Sequence, residues 1–151
     1  RLQQDYLLDT LDSRLRQREA VLRLRVEGGH ALLTFKGPVQ AAAMKLRDEI
    51  ETSVDDVGAM LAILGKMGFR GWFRYEKYRE EFEGHRVVAA VDETPVGVFV
   101  ELEGAEREIA ATAEALGCGP ADYVIESYRS LFVKDCGARG VPVTDMLFEK
   151  T

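Results

Sequence analysis

Histidine and cysteine are scarce in this chain, with two of each among 151 residues. Spread over positions 30, 85, 118 and 136, they lack the close spacing of a Cys and His metal site. Cys118 and Cys136 stand without metal-ligand spacing or a neighbouring histidine, and both are expected to be reduced and structural. An excess of positive charge is also lacking: 20 Lys and Arg against 26 Asp and Glu leave a net charge of −6. A general nucleic-acid surface is thereby excluded, and any basic cluster is expected to be a local anion site. No stretch is apolar for the roughly 20 residues that a membrane helix requires. With no leader pattern read in these residues, no membrane partner is expected and the expected setting is cytoplasmic. The length suits one domain over residues 1–151 with a real core, and a homodimer is expected only because it is the commonest oligomer.

What is present is strand after strand with a polar face. Arg86–Gly104 reads as two strands joined at Thr94–Gly97, with Glu101 and Glu103 on one face and Val98, Val100 and Leu102 on the other. Asp92 ends the first of them. Three carboxylates aimed the same way on adjacent strands repel one another unless cations lie among them, and a divalent metal is the simplest such cation. Upstream, Asp5–Thr10 reads as a strand. Leu22–Glu27 alternates Leu22, Leu24 and Val26 with Arg23 and Arg25, Gly28-Gly29 turns the chain, and Ala31–Lys36 returns, stopped by Gly37-Pro38.

Val39–Leu46 is compatible with a helix. Arg47–Thr52 is expected to be a strand, with Lys45, Arg47, Glu49 and Glu51 on one face. Ser53, Asp55 and Asp56 then signal a helix start, and Val54, Val57, Met60, Leu61, Leu64 and Met67 recur at helical spacing up to Gly68. Trp72–Phe82 alternates so that Tyr75, Lys77, Arg79 and Glu81 share a face. Ala105–Leu116 predicts an amphipathic helix ended by Gly117. Pro120 is expected to open a last helix with Val124, Tyr128 and Leu131 as its buried stripe, followed beyond Gly137 by an irregular strap.

Three strands, then one, then three make seven antiparallel strands, one short of a closed eight-stranded barrel. Residues 49–103 run as a Glu-x-Glu strand, a helix and three strands; residues 5–36 give only the three strands. The expectation is therefore that the natural protein begins upstream of Arg1 and that its first strand completes the barrel. Arg23, Arg25, Lys36, Lys77 and Arg79 share the polar faces with Glu49, Glu51, Asp92, Glu101 and Glu103. Such charges could simply face solvent. If three helices cover the outside of a barrel, the charged faces line its interior instead, and the class is α+β. Basic and acidic strands together then describe a polyanion with a metal, Arg and Lys taking phosphate oxygens and carboxylates a hard cation.

These pieces, in order, resemble the CYTH superfamily, the triphosphate tunnel metalloenzymes, which include class IV adenylate cyclases, thiamine triphosphatases and inorganic triphosphatases. The resemblance runs through Gln4–Thr10, Leu22–Arg25, Leu33–Pro38, Arg47–Glu51, Lys77–Arg79, Val91-Asp92 and Phe99–Gly104. It implies that Arg23, Arg25, Lys36, Arg47, Lys77 and Arg79 bind a triphosphate, with Lys36, Lys77 and Arg79 acting on its charge during reaction. It likewise implies that Glu49, Glu51, Asp92, Glu101 and Glu103 serve Mg2+ or Mn2+. The family's Glu-x-Glu-x-Lys near the N-terminus is absent, in keeping with the missing strand, and a chain without it is expected to be impaired.

No serine, cysteine or histidine is placed as a nucleophile. Water attacking the terminal phosphoryl group makes a triphosphatase; a ribose 3′-hydroxyl attacking the α-phosphate makes an adenylate cyclase that releases pyrophosphate. A module that binds polyphosphate without turnover, or a barrel with no ligand, are the alternatives. Val21 stands where mammalian thiamine triphosphatases carry an aromatic residue, which disfavours thiamine.

Overall fold

The computed structural model describes residues 1–40, 47–84 and 86–149. Among these residues seven strands form one antiparallel sheet: β1 (Leu2–Thr10), β2 (Val21–Glu27), β3 (His30–Lys36), β4 (Glu49–Ser53), β5 (Phe69–Glu83), β6 (Val87–Thr94) and β7 (Gly97–Gly104). Their order is β4-β3-β2-β1-β5-β6-β7. The α+β class and the antiparallel sheet are as expected from the sequence. Among the described residues the ladder has two ends, β4 and β7, so the pairing is that of an open sheet and "barrel" describes it only loosely. Among the described residues four α-helices accompany it: α1 (Arg14–Gln17), α2 (Val57–Lys66), α3 (Glu106–Ala115) and α4 (Tyr128–Arg139).

The chain divides into two compact units, residues 1–76 with 144–151, and residues 77–143, with β5 running from one into the other. In the first unit the apolar face of the ladder carries Leu8, Leu24 and Ala31, which form a buried cluster with Val54 and with Leu64 of α2. Tyr6, Leu22, Val26, Leu33, Val57, Met60, Leu61 and Phe69 pack around that cluster. The helical stripe read from the sequence is thus the face that packs, except for Met67, which is exposed. Leu24 is fully buried, and covering a leucine side chain contributes about 1.5–3 kcal/mol. Gly28 and Gly29 both have positive φ, 55° and 84°, which two-residue hairpin turns of this hand require and other residues resist. After leaving the second unit, the chain returns with Met146 bridged to Tyr75 of β5 in parallel.

In the second unit the apolar face of β5–β7 is only partly covered. Phe82, Val87 and Ala89 line a shallow groove with Glu108 and Thr112 of α3, whereas Tyr78, Val98 and Val100 on the same face stay exposed. Full cover by helices, expected from the sequence, is not what this face has.

Other expectations need correction. The last helix begins at Tyr128 with Ser127 as its cap; Pro120–Asp122 is a separate 3-10 turn. Val124 is accordingly exposed, and Phe132 and Cys136 are the buried positions of α4. A serine hydroxyl that accepts from the Ser130 amide at 3.1 Å is a better helix start than a proline seven residues earlier. Helix α1 was not expected: Asp9 creates it, its buried carboxylate accepting from the amides of Leu15 at 3.0 Å and Arg16 at 3.1 Å. Arg47 lies before β4, outside the strand in which it was expected. The helix considered for Val39–Leu46 and the position of Lys45 fall on residues 41–46, outside the described residues.

Candidate active site

Ladder register puts the expected site residues other than Arg47 on the polar faces. In the second unit Arg79 of β5 lies opposite Asp92 of β6. Asp92 lies opposite Phe99, and Ala90 opposite Glu101 of β7. Lys77, Arg79, Asp92, Glu101 and Glu103 therefore share one face by strand alternation.

Asp92 is the centre of this group and has no solvent exposure. Its Oδ1 accepts from Arg79 Nε at 2.7 Å; its Oδ2 accepts from Arg79 Nη2 at 2.6 Å, Lys77 Nζ at 2.7 Å and the Tyr128 hydroxyl at 2.5 Å. Burial alone would raise the Asp92 carboxyl, but these donors hold it down at about 2. Lys77 is 2 % exposed, and burial lowers its ammonium pKa against the pull of Glu101 and Asp92. Arg79 also donates to Glu101, and its Nη1 lies 3.7 Å from Glu81 and 4.0 Å from Glu103. Burial works against the Arg79 charge, yet the carboxylates around it raise its pKa. Glu101 is likewise pushed up by burial and brought below its ordinary value by Lys77 and Arg79.

The first unit carries a second group. Arg25 of β2 faces Asp5 of β1 across the ladder and grips it with Nε at 2.7 Å and Nη2 at 2.8 Å. Asp5 has no exposure, and its carboxyl, raised by burial, is held low by Arg25, Arg23 and the Tyr75 hydroxyl. Arg23 faces Thr34 and lies 4.0 Å from Glu51, with its Nε buried and without a partner. Thr34 in turn donates to Glu51 at 2.6 Å. Lys36 pairs with Glu49 at 3.0 Å. Arg47 stands apart from this face, donating to the carbonyl oxygens of Gly37 at 2.8 Å and Glu19 at 3.0 Å. Those bonds join the chain just before β2 to the chain just after β3, so the Arg47 guanidinium has a structural role there.

Among the described residues, no three His, Cys, Asp or Glu side chains stand together so as to hold a metal ion. Asp92, expected as a metal ligand, has both oxygens occupied by Lys77, Arg79 and Tyr128. Glu101 and Glu103 fit the role better: their side chains are 38 % and 68 % exposed, on one strand face. Mg2+ is commonly bound by one or two carboxylates with substrate phosphates and water completing the shell, so this donor set suits it.

Sequence reasoning missed the second layer of these groups. Tyr128 was read as core, and Asp5 and Thr34 were given no partner. Only Asp5, a mid-strand acid facing an arginine strand, carried a readable signal.

Similarities to known proteins bear on the arrangement. A Methanocaldococcus jannaschii protein named "Putative adenylate cyclase MJ0240" is 32% identical over 110 residues, covering 72% of this chain and 63% of that protein. The chain thus spans under two thirds of that relative's length. The solved structure of a "putative adenylate cyclase" from Vibrio parahaemolyticus superposes with a TM-score of 0.75 at 21% identity, over 87% of this chain and 80% of that one. "Putative adenylyl cyclase HpAC1" from Hippeastrum, described as having a dominant triphosphatase activity, shares the fold with a TM-score of 0.59 at 16% identity, over 94% and 83%. The model of the CYTH domain matches residues 1–118, and the chain belongs to the CYTH domain family.

Proposed function

We propose that this protein is a divalent-metal-dependent enzyme that acts on the phosphoanhydride bonds of a triphosphate, either tripolyphosphate or a nucleoside triphosphate. The observation that carries the reading is the Asp92 group. Two nearly buried cations, Lys77 and Arg79, are held on one face beside the more open carboxylates of Glu101 and Glu103. Arginine and lysine fixed in this way suit phosphate oxygens, and they need no reorganisation as charge develops on a leaving phosphate. Glu81, Asp92, Glu101 and Glu103 outnumber Lys77 and Arg79 on that face, an imbalance that a divalent cation would offset.

Glu101 and Glu103 would hold Mg2+ or Mn2+, which when bound neutralises phosphate charge and lowers the pKa of an attacking water or hydroxyl. Lys77 and Arg79 would hold and polarise the phosphate. On the other unit, Arg23, Arg25 and Lys36 carry donors of the same type, with Glu49 and Glu51 as further acids. Hydrolysis is the reading we favour, in a cytoplasmic setting. Cyclisation of ATP to cyclic AMP and pyrophosphate is the second, favoured by the name of the M. jannaschii relative.

The test offers tripolyphosphate and ATP to the protein with Mg2+ or Mn2+ and separates phosphate, pyrophosphate and cyclic nucleotide. Orthophosphate release identifies a triphosphatase, and cyclic AMP with pyrophosphate a cyclase. Binding without any product would make it a polyphosphate-binding module, and neither binding nor product would overturn the reading.

A further inference from the structure

We propose that Tyr128, at the first turn of α4, is a positioning residue that governs how Lys77 and Arg79 are presented to phosphate, acting through Asp92; this rests on the triphosphate reading above. Tyr128 lies beyond the residues that the family model matches, which end at 118, and its contacts explain the role. Its hydroxyl donates to Asp92 Oδ2 at 2.5 Å, the same oxygen that accepts from Lys77 and Arg79. Its ring centre lies 4.9 Å from Lys77 Nζ and packs edge-on against Phe99 at 5.5 Å. The tyrosine therefore touches both the anion that holds the cations and one of the cations themselves.

A carboxylate oxygen has room for about two good hydrogen bonds, and three donors compete for Oδ2. When Lys77 or Arg79 turns toward a phosphate, the buried Asp92 loses a donor, and leaving a buried charge short of partners is costly. The Tyr128 hydroxyl stays in place and keeps Oδ2 satisfied. With that hydroxyl gone, Asp92 grips the two cations harder and phosphate must compete against a stronger partner. The ring contributes separately by closing one side of Lys77 and excluding water from it. Ser127 sets the geometry, because its side chain caps α4 one residue before the tyrosine.

The test is Tyr128→Phe, which keeps the ring and removes one donor, measured by calorimetric titration with tripolyphosphate in the presence of a chelator. We expect binding to weaken about 5- to 20-fold, the loss of one hydrogen bond to a charged group. In an Asp92→Asn background the same change should alter binding less than about twofold, since the coupling runs through Asp92. Unchanged affinity in Tyr128→Phe, or an equal loss in both backgrounds, would overturn the proposal. If the parent binds no tripolyphosphate either with the chelator or with Mg2+, the functional reading fails, and if Asp92→Asn does not fold, the cycle cannot be closed. In either case acylation of Lys77, followed by mass spectrometry, decides the positioning role. Lys77 should resist modification in the parent and react in Tyr128→Leu; equal protection in both would overturn it.

Discussion

Asp5 and Asp92 are both fully buried, and each faces an arginine directly across an antiparallel ladder, Arg25 and Arg79, which grips it with two hydrogen bonds. The two units thus contain the same cross-strand pair. They differ in what surrounds it. Asp5 is held by one guanidinium and by Tyr75, with Arg23 further off, while Asp92 is shared by two cations and Tyr128. Around Asp92 the acids outnumber the bases; in the first unit Arg23, Arg25 and Lys36 are matched by Asp5, Glu49 and Glu51. The difference separates a site with spare carboxylates, which suits a metal, from one whose arginines suit an anion.

Removing each aspartate is the strongest way to break the comparison. Leaving a buried cation without its counter-charge costs about 3–5 kcal/mol. Asp92→Ala does this to Lys77 and partly to Arg79, which keeps Glu101; Asp5→Ala does it to Arg25 alone. Urea denaturation should therefore find Asp92→Ala the less stable of the two, and loss of a cooperative transition in that variant alone counts the same way. An equal or greater loss for Asp5→Ala would mean that the second cation adds nothing to the Asp92 group.

A second contrast sets Glu101 against Glu51, since only the former stands beside a surplus of acid. Glu101→Gln keeps the shape and removes the charge, so metal-dependent turnover should drop by about 100-fold or more, roughly 2.7 kcal/mol, with the fold intact. Glu51→Gln should cost far less, because Glu51 already accepts from Thr34 at 2.6 Å and its amide replacement can still accept there. Steady-state rates against Mg2+ concentration would compare them; turnover by Glu101→Gln at the parent rate would remove this carboxylate from the metal site.

Much of this was legible in the sequence, and the reason is period. Arg23 and Arg25, Lys77 and Arg79, and Glu101 and Glu103 each sit two apart with apolar residues between, so strand geometry alone assigns them to faces. Period also explains α2, whose stripe meets Leu8 and Leu24. What stayed hidden depends on contacts between elements. Nothing local to Ser127-Tyr128 says that the phenol reaches β6, because the helical spacing reads equally well as core. Asp9 looks like any strand-end acid until Leu15 and Arg16 fold back on it. Arg47 was assigned to a face because Glu49 and Glu51 follow at the right spacing, but its bonds to Gly37 and Glu19 hold it outside the ladder.

Acid sharpens the comparison further. The Asp92 carboxyl lies at about 2 in the folded protein against an ordinary value of 3.8, and that of Asp5 is lowered as well. A depressed folded-state pKa gives stability that is fully present above the ordinary value and is lost as pH falls through the folded one. Stability should therefore be flat with respect to these two groups down to about pH 5. Below pH 4 it should fall, with Asp92 accounting for about 1–2 kcal/mol by pH 2. Chemical denaturation at stepped pH would measure this, and Asp92→Asn should flatten the curve below pH 4. A variant with the parent's full acid dependence would assign that loss to other carboxylates.

The smallest effect concerns the two helix caps. Asp56 begins α2 in the first unit by accepting from the Ala59 amide at 2.8 Å, and Ser127 begins α4 in the second by accepting from Ser130 at 3.1 Å. Each cap satisfies one amide that the helix cannot, and losing it costs about 0.5–2 kcal/mol. Asp56 also brings a negative charge to the positive end of the helix dipole, which adds a few tenths of a kcal/mol at a surface. Asp56→Ala should thus destabilise slightly more than Ser127→Ala when both are measured by denaturant midpoint. Their effects on binding should be reversed. Fraying the first turn of α4 loosens Tyr128 and so the grip on Lys77, whereas α2 packs on the apolar face of the first unit, away from the Asp5 and Arg25 side chains. Ser127→Ala should weaken tripolyphosphate binding by about two- to threefold, a fraction of the Tyr128→Phe effect, while Asp56→Ala should leave it unchanged. Equal affinity in both capping variants would mean that the start of α4 needs no cap to hold its tyrosine in place.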